Sequence, residues 1–177
     1  TVLIIGGSLG ARTLNEALSQ SIDTIVKSEL QFIWQCGKGY YHSILEAIPD
    51  MPKQIKLMPF ISRMDAAYAA ADIVVSRAGA LSVSELCLIG KPSVFVPSPN
   101  VAEDHQTKNA LALVTNEAAV MVKDIDAVEV LTDTVLDLLK NAPQKGKLAE
   151  NIKKMAKPNA TIDIVNACEN LLNKYAK

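Results

Sequence analysis

Short β-branched runs alternate with helical stretches over the first two thirds of the chain. Residues 2–5, 31–35, 55–58, 73–76, 93–96 and 119–122 read as strands. Several are almost wholly apolar, the pattern of strands covered on both faces. Between the first two strands, residues 9–27 place Leu14, Leu18, Ile22, Ile25 and Val26 on one helical stripe. Residues 40–48, 64–71, 83–89 and 106–116 are shorter amphipathic segments. After the last strand the pattern is helical only: 126–139, then 145–155 beyond Pro143, then 160–175 beyond Pro158. The alternation predicts an α/β fold, a Rossmann-like three-layer domain whose six-stranded parallel sheet carries helices on both faces and is followed by C-terminal helices. Six strands in this succession are expected in the order 3-2-1-4-5-6, with ligand bound outside the carboxyl ends of strands one and four, where the order reverses.

Composition narrows the class. With 177 residues, 49% of them hydrophobic and 21% charged, the chain reads as a single folded domain over 1–177 with its own core. Its 18 basic and 19 acidic side chains give a formal net charge of -1, too little positive field to make nucleic acid an expected partner. Cys36, Cys87 and Cys168 are widely spaced, which predicts neither a disulfide framework nor a zinc site and fits a reducing compartment, the cytoplasm. No apolar run approaches the roughly 18 residues of a membrane span. The chain opens at Thr1 directly on a buried-type strand, and is therefore expected to be a domain excised from a longer protein with an N-terminal partner.

The loops leaving strands one and four carry the chemistry. Gly6, Gly7 and Gly10 precede the first helix, whose free N–H groups and positive end attract an anion, and Ser8 adds a hydroxyl. The same glycines would also serve a tight turn and close helix packing. Their spacing departs from G-x-G-x-x-G, the second strand ends in Gln35 and Cys36 rather than an acid, and Arg12-Thr13 breaks the P-loop pattern, so the common nucleotide cofactors are disfavoured and none is predicted. In the fourth loop Gly79 permits close backbone approach, while Ser82 and Ser84 can cap the next helix or meet phosphate. Glu85 can accept two hydrogen bonds from a ribose diol, or close an S-x-x-E capping box with Ser82. Downstream, Asp104 reads as an N-cap, His105 as a solvent-facing or capping residue and Gln106 as the better ligand candidate, since an amide offers donor and acceptor. His42 receives no role. Asp124-Ile125-Asp126 has the form of a D-x-D metal motif, but reads as a helix start at the far edge of the sheet. No metal ligand is predicted.

Gly6-Gly7-Ser8-Leu9-Gly10-Ala11, Pro59-Phe60-Ile61, the run from Ala71 through Arg77-Ala78-Gly79-Ala80-Leu81-Ser82-Val83-Ser84-Glu85, and Asp104-His105-Gln106-Thr107-Lys108-Asn109-Ala110 together resemble the MurG family. These are bacterial transferases that add N-acetylglucosamine to lipid I, making lipid II for peptidoglycan. The resemblance covers essentially the whole chain as the C-terminal, donor-binding half of a GT-B glycosyltransferase. It implies UDP-N-acetylglucosamine as ligand, with Ser8 and Ser82 on the diphosphate and the backbone of Ile61 on the uracil edge. Glu85 would take the ribose hydroxyls, and Ala80, Leu81 and Gln106 the phosphate-proximal sugar, with Val83 and Ser84 in the same binding stretch. Arg77 would anchor its loop. The lipid I acceptor, the membrane contact at the cytoplasmic face and the general base would belong to the N-terminal half. The chain alone is therefore expected to transfer no sugar and to contain no catalytic residue, and the joined enzyme to tolerate loss of Asp124 and Asp126. A UDP-N-acetylglucosamine 2-epimerase or another GT-B half, a non-catalytic dinucleotide-binding module and a purely structural interaction domain are the alternatives.

Overall fold

In the computed structural model, which describes residues 1–175, six parallel strands form one sheet. They are β1 (Val2–Ile5), β2 (Phe32–Gln35), β3 (Ile55–Met58), β4 (Ile73–Ser76), β5 (Ser93–Phe95) and β6 (Val120–Met121), in the order β3-β2-β1-β4-β5-β6. β1 lies at the reversal: Val2 pairs with Phe32 on one side and with Ile73 on the other. The expected order is therefore the observed one, and the carboxyl ends of β1 and β4 adjoin.

Nine α-helices lie among the described residues: α1 (Arg12–Gln20), α2 (Ile22–Lys27), α3 (Tyr41–Ala47), α4 (Met64–Ala70), α5 (Ala80–Ile89), α6 (His105–Thr115), α7 (Ala127–Lys140), α8 (Ala142–Lys154) and α9 (Ala160–Tyr175). Alternate residues of β1 enter opposite cores, because side chains alternate across a strand. Val2 and Ile4 pack with Leu14, Leu18, Leu131 and Val135, while Leu3 packs with Leu86, Phe95 and Leu113. Burying each such side chain contributes about 1.5–3 kcal/mol, so the central strands, apolar on both faces, fix the three layers.

Three departures from the expected elements have local causes. The stretch expected as one helix over 9–27 is split at Ser21, whose φ of -101° and ψ of 13° leave the helical region; the apolar stripe continues because α2 packs on the same core. α5 begins at Ala80 rather than 83, which takes Ser82 into the helix. β6 holds only two residues, as suits a strand at the sheet's edge. α9 is exposed along its length, and among the described residues no helix is long and apolar enough to cross a membrane. Cys36 and Cys87 are buried and Cys168 exposed, all as free thiols; burial pushes the Cys36 and Cys87 thiols up from their ordinary value.

Candidate functional site

A cavity of about 630 Å³ opens at the carboxyl ends of β1 and β4. Gly6, Gly7, Ser8, Gly10, Gly79, Ser82 and Gln106 all line it, so the two glycine loops share one wall. α1 and α5 both begin here. Their N-caps, Ala11 and Gly79, provide no side-chain cap, which leaves the first-turn N–H groups of two helices available to an anion.

The first loop is shaped by steric necessity. Gly10 has a φ of +83°, and a Cβ placed on it would lie 2.1 Å from the Cys36 carbonyl oxygen. A Cβ on Gly37 would in turn lie 2.5 Å from Gly10. Here the packing role of the glycine is realised: the loop after β2 presses against the loop after β1. Gly7 differs, with a φ of +79° and nothing within 4 Å of where a Cβ would stand, so it needs glycine for its conformation and not for space. Buried Gln35 donates from Nε2 to the Gly7 carbonyl at 2.6 Å, turning into the scaffold an oxygen that would otherwise repel an anion. Buried Asn15 ties α1 down, donating to the Cys36 carbonyl at 2.9 Å and accepting from Trp34 Nε1 at 2.9 Å.

Side-chain contacts with distant elements hold the second loop. Arg77 donates to the Val96 and Pro97 carbonyls at 2.9 and 3.3 Å and forms an ion pair with Asp124. Thr13 in α1 donates to the other Asp124 oxygen at 2.9 Å. Asn109 donates to the Ala78 carbonyl at 3.0 Å. The Gln106 Oε1 accepts from the backbone N–H groups of Ala78 (3.2 Å) and Ser98 (2.9 Å). Backbone N–H groups can only donate, so the amide oxygen is committed to them and Nε2 is the group left for a ligand. Gln106 therefore enters the site as a donor, not as the donor-and-acceptor expected from its residue type.

Asp124 is not remote. The turn over Asp124–Asp126 does lead into α7 from the sheet edge, but Asp124 lines the cavity with both carboxylate oxygens engaged, by Arg77 and Thr13. It braces the two loops, a structural role that its reading as a helix start at the far edge of the sheet does not include. No group of three or more His, Cys, Asp or Glu side chains comes together among the described residues.

The capping box between Ser82 and Glu85 is not formed. Gly79 is the N-cap of α5, Ser82 lies inside the helix, and the exposed Glu85 instead accepts from the Tyr68 hydroxyl at 3.0 Å. Ser84 donates back to the Ala80 carbonyl at 2.9 Å. Ser84 and Val83 line a separate groove with Cys87, away from the central cavity. Ala80 and Leu81 are exposed beside the cavity, and Ile61 is 5% exposed and lines a separate cavity with Ile33, Met58 and Ala67. Asp104 makes no capping hydrogen bond and has a φ of +53°. His105 is exposed and pairs through Nδ1 with the Ala102 carbonyl, while His42 stands edge-on to Tyr41 on α3. Tyr68 and the bracing role of Asp124 escaped the sequence reading. Their partners lie 17 and 47 residues away, and no short-range spacing marks either pair.

A family profile for the glycosyltransferase family 28 C-terminal domain matches residues 1–164. The chain is 52% identical over 166 residues to a Porphyromonas gingivalis protein named UDP-N-acetylglucosamine--N-acetylmuramyl-(pentapeptide) pyrophosphoryl-undecaprenol N-acetylglucosamine transferase, an alignment covering 93% of this chain and 44% of that protein. It thus spans a little under half the length of the curated relatives it matches. Among solved structures, Acinetobacter baumannii MurG superposes with a TM-score of 0.83 at 35% identity, covering 96% of this chain and 49% of that one. A Neisseria meningitidis UDP-GlcNAc 2-epimerase bound to UDP-GlcNAc gives a TM-score of 0.67 at 13% identity, covering 96% and 43%, a likeness of fold alone.

Proposed function

The chain belongs to glycosyltransferase family 28 through its C-terminal domain, and from that membership we propose that it is the donor-binding half of an inverting N-acetylglucosaminyltransferase that makes lipid II from lipid I. Its ligand in this reading is UDP-N-acetylglucosamine. The observation that carries it is the convergence of two N-termini without side-chain caps, those of α1 and α5, on one cavity. A diphosphate lies between them, with the Ser8 and Ser82 hydroxyls as further donors, Gln106 Nε2 donating to the sugar, Glu85 accepting from the ribose and the Ile61 backbone beside the uracil.

In the reaction the C4 hydroxyl of the lipid-linked muramyl sugar attacks the anomeric carbon. The bond from that carbon to the β-phosphate oxygen breaks, and UDP leaves with the electron pair. Charge grows on the diphosphate as the bond opens, and N–H groups already aimed at it favour the transition state over the ground state. Holding the acceptor in line and taking its proton are tasks for the remaining half of a protein as long as the relatives, at the cytoplasmic face of the membrane.

Calorimetry tests the donor reading. UDP-N-acetylglucosamine should bind, and UDP more tightly than UMP; equal affinity for UMP and UDP, or a preference for NAD, would overturn it. The division of labour has its own test. Residues 1–177 should form no lipid II from a lipid I analogue, and covalent joining to the N-terminal half of a relative should restore transfer, whereas robust synthesis by the chain alone would refute the half-enzyme proposal.

A further inference from the structure

Glu85 is exposed on α5, where a free carboxylate on a flexible stem would sample many rotamers. One of its oxygens, Oε2, is instead held by the hydroxyl of Tyr68 at 3.0 Å. Tyr68 is 8% exposed and packs in the same core as Leu3, Ile61 and Leu86. Its position is thus set by the fold rather than by solvent. Burial and the neighbouring carboxylate push the Tyr68 phenol well above its ordinary value, so the hydroxyl keeps its proton and acts as a donor at neutral pH. α4, which carries Tyr68, directly follows the loop containing Ile61, so the elements proposed to meet base and ribose are joined through this hydrogen bond.

From this geometry we infer that Tyr68 is a positioning residue for ribonucleotide recognition, fixing the Glu85 carboxylate so that its Oε1 and the remaining lone pair of Oε2 accept from a vicinal ribose diol. The inference rests on the donor reading given above and adds a residue to it. Ordering a free glutamate on binding costs affinity, and a carboxylate ordered in advance does not incur that cost. Tyr68 touches no reacting atom in this arrangement; it acts through Glu85 alone.

The test compares UDP with 2′,3′-dideoxy-UDP by calorimetry. Tyr68→Phe keeps the buried ring and removes only the hydroxyl. It should weaken UDP by about 3- to 10-fold, the effect of one freed side chain, and leave the dideoxy analogue unchanged. In a Glu85→Ala background the same substitution should add nothing. Glu85→Asp, which draws the carboxylate back from Tyr68 without touching the core, should also lose the preference for the diol. Equal weakening of both ligands by Tyr68→Phe would show that the tyrosine acts through the fold, and unchanged UDP affinity would show that Glu85 needs no partner; either overturns the inference. Wild-type protein that binds no UDP would overturn the donor reading itself, a result distinguishable from both.

Discussion

Between β1 and α1 the chain turns through Gly7 and Gly10, both at positive φ, and the turn has no room for a side chain at Gly10. Between β4 and α5 Gly79 sits at φ -65° and ψ 149°, open to ordinary residues, and the nearest atom to an added Cβ is Ser82 Oγ at 4.0 Å. The first loop is held by backbone against backbone. The second is held by its own Arg77, which reaches out to carbonyls at the end of β5 and to Asp124 beyond β6, and by Gln106 and Asn109 of α6. Both end at a helix N-terminus on the same cavity. A loop fixed by excluded volume tolerates almost no change but needs no charged partner, whereas a loop fixed by side chains is adjustable and depends on each of them.

The largest effect expected from this contrast is at Gly10. Gly10→Ala meets both a strained φ and overlap with the Cys36 carbonyl, neither of which a flexible side chain can relieve. Strain and overpacking together should cost about 3 kcal/mol or more of unfolding free energy, read from the midpoint of urea denaturation. A loss under about 1 kcal/mol would mean that the two loops can move apart, and that the first is no more rigid than the second.

Next comes the brace on the second loop. The side chains of Arg77 and Asp124 are 15% and 19% exposed, so removing one partner strands a charge that water reaches poorly. Asp124→Ala should cost about 1.5–3 kcal/mol of stability, less than a fully buried pair would. Combined with Arg77→Ala, the double substitution should cost less than the sum of the singles, since the stranded charge is gone. Additive losses would mean that Arg77 is secured by the Val96 and Pro97 carbonyls alone. Asp126→Ala, on an exposed residue, should leave stability unchanged within about 0.5 kcal/mol.

The same contrast explains which parts of the molecule could be read from the sequence. Strand order follows from alternation and burial, so the sheet and the placement of both loops were legible. The turn after β1 is legible because positive φ at Gly7 and Gly10 is a local demand, although the contact of Gly10 with the Cys36 carbonyl is not. The second loop is only half so: Ala80, Leu81 and Ser82 are small or lie at a loop boundary by composition, so the pattern starts α5 a turn too late and leaves a Ser82–Glu85 capping box as one of two readings. What actually holds Glu85 and Arg77 comes from α4 and from beyond β6, and hydrophobic periodicity carries no information about such long-range polar pairs. Gln106 was identified by type but not by polarity, because which end of an amide is free depends on the backbone N–H groups that fold against it.

That polarity gives a sharper variant. Gln106→Glu can still accept from the Ala78 and Ser98 N–H groups, so the second loop keeps its support, but a carboxylate oxygen replaces the Nε2 donor. Stability should change by no more than about 0.5–1 kcal/mol, while UDP-N-acetylglucosamine binding should weaken by about 1.5–2 kcal/mol, the loss of one hydrogen bond plus repulsion of the diphosphate. UDP, lacking the sugar, should lose less. Equal losses for the two ligands would place Gln106 outside the sugar's reach and reduce it to a support for the loop.

The smallest expected effect on binding is at Gly79, and it separates support from binding most cleanly. Alanine fits the φ and ψ there, and restricting the unfolded chain stabilises by about 0.4–1 kcal/mol. Alanine is also a poorer N-cap than glycine, and the two effects oppose each other, so Gly79→Ala should change unfolding free energy by less than about 0.5 kcal/mol. The new methyl nevertheless stands at the mouth of α5, on the wall of the cavity where a diphosphate oxygen must approach the first-turn N–H groups. UDP affinity should therefore fall by about 1 kcal/mol, the worth of a displaced hydrogen bond, while the melting temperature holds. Unchanged UDP affinity in a stable Gly79→Ala protein would mean that the diphosphate does not use the α5 terminus, and would leave the sterically fixed first loop as its sole anchor.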